Sequence, residues 1–346
     1  MTSRARTCRP GRLARCAYVV VTAAVSASAL ASCSGSSGAT SAAAGGGTQA
    51  AAGNTAPTIT VDAPPNASSA AAAYGASSGM FEQAGVKVAM HTHQGAQSTI
   101  VGLMSGAYPI VWATVPDALA AQAKGLPISI VALGDQGTPG QIRVLSRSGS
   151  GITKPADLVG KKVAIPSPTS SCALAVPNLL KAAGVDATKV KLVTVPQVDH
   201  ESTLRNKVTD AVCTPEPFQS EIKQHLGTND VLDVFTGGNK GMLIGAYVAT
   251  NAYVQKNPKA VTAFRDGLTA ADRKADADQS VVRALMPRYS GVSDQLAKSI
   301  TLPTYIRNVT DTAALQSLAD LMVANGLLTA RIDAGKSFAA PAPSGS

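Results

Sequence analysis

Lys161-Lys162-Val163-Ala164-Ile165-Pro166-Ser167-Pro168-Thr169-Ser170-Ser171-Cys172-Ala173-Leu174 reads as a short apolar strand, a hydroxyl-rich loop and the start of a helix. Such a loop presents unpaired backbone N–H groups and hydroxyls at the positive end of a helix dipole. It is a ready seat for an anion or a polar head group. Simple helix capping asks for the same Ser and Thr residues. What the loop does therefore depends on the chain around it.

Working outward, the pattern before the stretch alternates strands and helices. Strands are expected at 58–62, 86–91, 110–112 and 128–133, and helices at 66–76, 99–105 and 117–124. Gly79 and Gly125 suit the ends of the first and last of these helices. This β-α-β-α-β-α-β order predicts a parallel, helix-covered sheet. The order then restarts. Strands are expected at 142–145, 163–165, 190–195 and 210–213, with helices at 201–207 and 221–226. Thr153-Lys154-Pro155 supplies a cap followed by proline in a first turn, and the helix after the quoted stretch ends near Ala183-Gly184. Pro177 falls inside that helix; proline either kinks it or marks its true start. A strand at 242–250 follows, then helices at 258–274, 279–286, 293–299 and 312–325, the last stopped by Gly326.

The N-terminus reads as an export signal. Arg4, Arg6, Arg9, Arg12 and Arg15 precede an apolar run at 17–29 that is too short to span a bilayer. Leu30-Ala31-Ser32-Cys33 resembles the bacterial lipobox, which makes Cys33 the expected lipidated N-terminus of the mature chain. This reassigns the charge. Of 30 Lys+Arg, five leave with an acid-free signal, so 25 stand against 21 Asp+Glu. The excess of base is mostly export signal, and aromatics are only 4%, so nucleic acid is not an expected partner. Residues 34 to about 56 are Ser, Gly, Ala, Thr and Gln without periodicity, a flexible tether. Cys8 and Cys16 leave with the signal, and Cys172 and Cys213 remain. Outside the cytoplasm an isolated pair is more often a disulfide than two thiols. If the strands at 163–165 and 210–213 are neighbours, the two sulfurs lie at one edge of the second unit and can bond.

The expected fold is therefore α/β and two-lobed, each lobe a sheet flanked by helices. The expected organisation is signal peptide 1–32, tether 33–56, first lobe 57–140, second lobe 141–236, and a return to the first lobe over 237–346 with C-terminal helices and a polar tail. In open α/β sheets ligands sit beyond the carboxyl ends of the strands. The loops there are Pro64-Pro65-Asn66, Gln94-Gly95-Ala96-Gln97, Ala113-Thr114-Val115-Pro116, 166–171 and Thr214-Pro215-Glu216. None carries an evident catalytic set. Gly75-Ala76-Ser77-Ser78-Gly79 spells Gly-x-Ser-x-Gly but coincides with a helix end, not a nucleophile elbow. His91 and His93 share one strand face, yet a tight metal site needs three or four ligands, and His200 and His225 lie in the second unit. No metal and no cofactor are expected. His200-Glu201-Ser202 has the residue types of a hydrolase but sits at a helix start, where Glu and Ser serve as caps.

Several segments, in the right order from about 58 to 333, resemble the sulfonate/taurine/nitrate-type periplasmic solute-binding proteins, a group that also includes the thiamine-pyrimidine-precursor binders. They are Met80-Phe81-Glu82-Gln83-Ala84-Gly85-Val86-Lys87-Val88, Leu103-Met104-Ser105-Gly106, Ala118 to Gly125-Leu126-Pro127, Ala156-Asp157-Leu158-Val159-Gly160-Lys161-Lys162-Val163-Ala164, Thr209-Asp210-Ala211-Val212 with Glu216-Pro217-Phe218, and Asn257-Pro258-Lys259-Ala260-Val261. The resemblance implies a type II periplasmic-binding-protein fold and an extracytoplasmic lipoprotein receptor. Such a monomer is anchored through lipid on Cys33, closes on a small solute and hands it to an ABC importer permease. Ligand contacts are then expected from Asn66, Ser68, Gln94, Gln97, Thr114, Ser167, Thr169, Ser170 and Glu216, with Trp112 and Tyr74 as an apolar wall. A sulfonate-like anion would be held by the hydroxyl loop, with Glu216 facing an amine or hydroxyl. Hinge segments are expected near 133–141 and 234–241. The alternatives are a receptor for a pyrimidine or other organic precursor, and a secreted enzyme of the pyrimidine-synthesising kind, for which His91 and His93 would be the reactive groups.

Overall fold

A computed structural model describes residues 56–92 and 99–340. The expected signal segment, tether and lipidation at Cys33 lie outside these residues, as do His93, Gln94, Gln97 and the last six positions. In chain order, β1 (Thr58–Ala63) leads through α1 (Ala70–Ser77) and α2 (Met80–Gln83) to β2 (Lys87–Thr92). Then α3 (Thr99–Met104) leads to β3 (Ile110–Thr114), and α4 (Val115–Ala123) to β4 (Ile128–Gln136). The second series is β5 (Ile142–Arg147), β6 (Lys162–Ile165), α5 (Ser171–Ala182), β7 (Lys191–Thr194), α6 (His200–Arg205), β8 (Ala211–Pro215), α7 (Phe218–Leu226) and β9 (Thr228–Asp233). The chain returns with β10 (Leu243–Thr250), followed by α8 (Asn251–Lys256), α9 (Pro258–Ala277), α10 (Ser280–Ser290), α11 (Asp294–Ser299), β11 (Thr304–Tyr305) and α12 (Thr312–Ala324).

Two sheets result, ordered β11-β4-β10-β3-β1-β2 and β7-β6-β8-β5-β9. In the first, β1 is parallel to β2 and β3, and β10 is antiparallel to both β3 and β4. The four expected strands therefore do point one way, but β10 is wedged between the last two. In the second, β6 is parallel to β7 and β8, while β5 is antiparallel to β8 and β9. The reversal has a simple cause. The chain leaves each sheet at the carboxyl end of its other strands and starts the next sheet at the facing edge. Its first strand there, β5 or β10, must run the opposite way.

Periodicity found nine of the strands and missed β9 and β11. Thr228-Asn229-Asp230-Val231-Leu232-Asp233 is too polar to register as a strand, and β11 is two residues long. β9 is held by pairing with β5, not by propensity. The short helices α2 and α8 were also not visible in the pattern. The expected helix at 66–76 opens with a 3-10 turn at Ala67–Ser69, capped by the Asn66 side chain, which accepts from the Ser68 N–H at 3.0 Å. The turn at Pro155–Leu158 is likewise 3-10, with the Asp157 carboxylate accepting from the Thr153 and Lys154 N–H groups. Pro177 lies inside α5, which begins at Ser171, so the helix runs through its proline.

The helices pack on the sheets through small residues. β10 is almost wholly buried, and its Tyr247 meets Phe264 of α9, which stacks on Phe81 of α2 at 5.2 Å between ring centres. A Cβ at Gly267 would fall 2.4 Å from the Phe81 ring, so only glycine lets α9 approach α2 this closely.

Candidate functional site

A cavity of about 540 Å³ opens between the two sheets. Its lining follows from the strand directions. β1, β3, β6, β7 and β8 meet it at their carboxyl ends or the loops just beyond, through Pro64, Thr114, Pro166, Thr194 and Pro215. The reversed strands β5 and β10 meet it at their starts, through Ile142 and Ile244. Both sheets therefore aim strand ends at one space.

Six of the expected contact residues line this cavity: Asn66, Ser68, Trp112, Thr114, Ser167 and Ser170. Thr169, Glu216 and Tyr74 are not among its lining residues, and Gln94 and Gln97 lie outside the described ones. The sequence reading passed over Asp117, Lys124, Ser171 and Gln197, which do line it. In the sequence Asp117 marks only the start of a helix. The signal available for it was Thr114-x-x-Asp117, a cap spacing that places the carboxylate at the cavity end of α4.

The hydroxyl loop closes largely on itself and on Asp117. Ser170 caps α5, accepting from the Ala173 N–H at 3.3 Å and donating to the Ser167 carbonyl at 2.8 Å. Ser167 Oγ donates to Asp117 Oδ1 at 3.0 Å, and the Thr169 hydroxyl donates to the same oxygen. Thr114 Oγ1 donates to Asp117 Oδ2 at 2.7 Å and accepts from the Asp117 N–H at 3.1 Å. Ser171 is the exception: it lines the cavity, is buried, and its Oγ has no partner. The Trp112 Nε1–H, also in the lining, is unpartnered as well. Behind the loop, Cys172 and Cys213 form a disulfide with Cα atoms 6.1 Å apart. It ties the first turn of α5 to β8, the neighbour of β6.

Glu216 serves elsewhere than the cavity wall. It is buried, and its Oε1 accepts from Ser220 Oγ at 2.9 Å and from the Thr301 N–H at 3.4 Å. Burial pushes its pKa up to about 7, against the pull of these donors. It joins the second sheet to the segment before β11. Asp135, at the end of β4, is also fully buried. Its oxygens complete no normal hydrogen bond, although Ser68, the Gly245 N–H and Gln141 face it, and burial raises its pKa to about 7.

The residues of the other readings are dispersed. His200 is buried, donates from Nε2 to the Val195 carbonyl at 3.1 Å, and burial lowers its pKa to about 4. Glu201 bonds Arg205 and His225, and Ser202 donates to the Asp199 carbonyl, so the three do not form a relay. His91 Nδ1 lies 2.8 Å from Asp62, its Nε2 lies 3.2 Å from the Tyr108 hydroxyl, and the two rings stack. Among the described residues, no group of three or more His, Cys, Asp or Glu is placed to hold a metal ion. No helix there is long and apolar enough to cross a membrane.

Residues 66–278 match the family model described as NMT1/THI5 like. Among solved structures, the periplasmic aliphatic sulphonate binding protein SsuA from Escherichia coli superposes with a TM-score of 0.64 at 20% identity, covering 82% of this chain and 97% of that one. The periplasmic nitrate-binding protein NrtA from Synechocystis PCC 6803 does so with a TM-score of 0.67 at 14% identity, over 81% and 84%. The desulfurization enzyme DSZB also matches, with a TM-score of 0.61 at 18% identity, over 82% and 96%. No curated protein matches the chain significantly. The fold is that of the periplasmic binding proteins, as the sequence resemblance implied.

Proposed function

We propose, from the premise that this chain belongs to the NMT1/THI5-like family, that it is the extracytoplasmic solute-binding lipoprotein of an ABC importer. It captures a small polar solute between two lobes, residues 57–140 with 237–346 and residues 141–236, and is held at the membrane by lipid on Cys33. The observation that carries this reading is the cavity itself: about 540 Å³, lined from both sheets by strand ends and by buried Asn66, Ser68 and Ser170. Ligand sites combine such an apolar enclosure with a few placed polar groups.

Closure would act where the chain crosses between sheets. The crossings at 137–141 and 234–242 touch each other, with the Gly137 N–H donating to the Met242 carbonyl at 2.8 Å. They pass the two segments expected to hinge. Closing on the solute is the signal that a permease reads.

The test is a thermal-shift screen of the purified protein against sulfonates, nitrate, taurine, pyrimidines, amines and amino acids. A solute at 100 times its dissociation constant stabilises by about 2.7 kcal/mol. Silence across the whole panel sinks the reading. An enzymatic reading has one observation in its favour, the Asp62–His91–Tyr108 chain of contacts. Turnover of a screened solute that is lost in His91→Ala would replace the receptor by an enzyme.

A further inference from the structure

The hydroxyl loop before α5 looks from sequence like a seat for an anion. In the folded chain that seat is already taken. Ser167 and Thr169 each have one hydroxyl proton, and both point at Asp117 Oδ1. The Ser170 proton goes to the Ser167 carbonyl, and the Thr114 proton to Asp117 Oδ2. The anion in the seat is the protein's own carboxylate, contributed by the opposite sheet. A carboxylate offers about four acceptor positions. Three are filled by these hydroxyls, which leaves one on Oδ2 for a donor in the cavity.

We propose that Asp117 sets the specificity of this cavity: by occupying the oxyanion seat of Ser167 and Thr169 it rejects oxyanions and selects a solute with a cationic or N–H-donating nitrogen. The inference rests on the solute-binding reading and narrows it. An oxyanion would have to displace Asp117 or lie against it, and like charges at such distances repel. A nitrogen donor meets the free acceptor position of the carboxylate. The rest of the lining suits the body of such a solute. The unpartnered Trp112 Nε1–H and Ser171 Oγ can meet an acceptor elsewhere on it, and Ile142, Ile244, Pro166 and Pro215 supply apolar contact. Lys124 is the other charged lining residue described, and it is exposed. It lies seven residues along α4 from Asp117, about 10 Å away. The hydrogen bonds on the Asp117 carboxylate come from Thr114, Ser167 and Thr169, not from Lys124.

The test uses matched pairs that differ in the charged group: ethanolamine against isethionate, and benzylamine against benzenesulfonate, at fixed low ionic strength. Wild type is expected to gain at least about 2 °C in Tm with the amines and nothing with the sulfonates. Asp117→Ala is expected to lose the amine shift and to gain one with the sulfonates, because the Ser167 and Thr169 protons lose their acceptor and are released to them. Asp117→Glu, which keeps the charge, retains the amine preference and guards against a variant that merely misfolds. Circular dichroism checks that both variants are folded. A wild-type shift with the sulfonates that equals or exceeds the amine shift overturns the role of Asp117 while leaving solute binding intact. No shift in either series overturns this proposal, and the wider solute panel then decides whether solute binding stands without it.

Discussion

Ser167 Oγ donates to Asp117 Oδ1 across 3.0 Å, joining the loop before α5 to the first turn of α4. Ser167 follows β6 of the second sheet and Asp117 lies in α4, after β3 of the first, fifty positions apart in the chain. With the Thr169 hydroxyl on the same oxygen, the bond links the two walls of the cavity.

Removing the donors should weaken the fold as well as the seat. Ser167→Ala combined with Thr169→Ala strips two protons from a half-buried carboxylate, which costs on the order of 1–3 kcal/mol. Urea unfolding reads this directly. A double variant as stable as wild type would mean that the bridge holds nothing.

The disulfide should matter through the length of chain it closes. Cys172 and Cys213 are 41 positions apart, and closing a loop of that size lowers the entropy of the unfolded chain by the equivalent of about 4 kcal/mol. Cys172→Ser with Cys213→Ser is expected to lose stability of that order. Because Cys172 also lines the cavity, solute-induced shifts should shrink as well. Unchanged unfolding of the double variant under oxidising conditions would refute this.

Asp135 makes stability fall as pH rises. Its folded pKa of about 7 lies above its ordinary value of 3.8, so the folded chain holds the proton longer than the unfolded chain. The stabilising contribution is complete below about 4, and it is lost as pH climbs through 7. Glu216 acts in the same direction, and His200, lowered to about 4, acts in the opposite one on acidification. Asp135→Asn isolates the first effect. Its stability relative to wild type should increase by about 3 kcal/mol between pH 5 and pH 8, by urea unfolding at both. A difference independent of pH would show that Asp135 does not titrate in this range.

Gly137 lies against Phe235, so the two crossings pack face to face. A Cβ at Gly137 would stand 2.2 Å from the Phe235 ring, closer than atoms can approach. Gly137→Ala must push the crossings apart, and overpacking of this kind costs about 1–3 kcal/mol. Differential scanning calorimetry should show a lower Tm. Retention of wild-type Tm would mean that Phe235 moves aside freely.

Much of this was legible in the chain. The runs 58–62, 86–91, 110–112 and 163–165 became strands because apolar and β-branched residues lie together there, a local property. The family order of short segments carried the fold. The ends of those strands, with Pro64, Thr114 and Pro166, were placed at the site by direction alone. β9 and β11 were illegible because pairing partners, not their own residues, make them strands.

What the sequence by itself determined is the order of the elements, the two-unit α/β plan and three of the loops that meet at the cavity, at 64–66, 113–116 and 166–171, because these follow from periodicity and from strand direction. What only the tertiary structure decided is how the charges pair. Ser167 and Thr169 read as anion donors until Asp117, fifty or so positions away, was brought against them. Glu216 read as a cavity acid until it turned to Ser220 and the Thr301 N–H. A hydrogen bond depends on ångström-scale distance and angle, and residues far apart in sequence acquire these only when the two sheets pack.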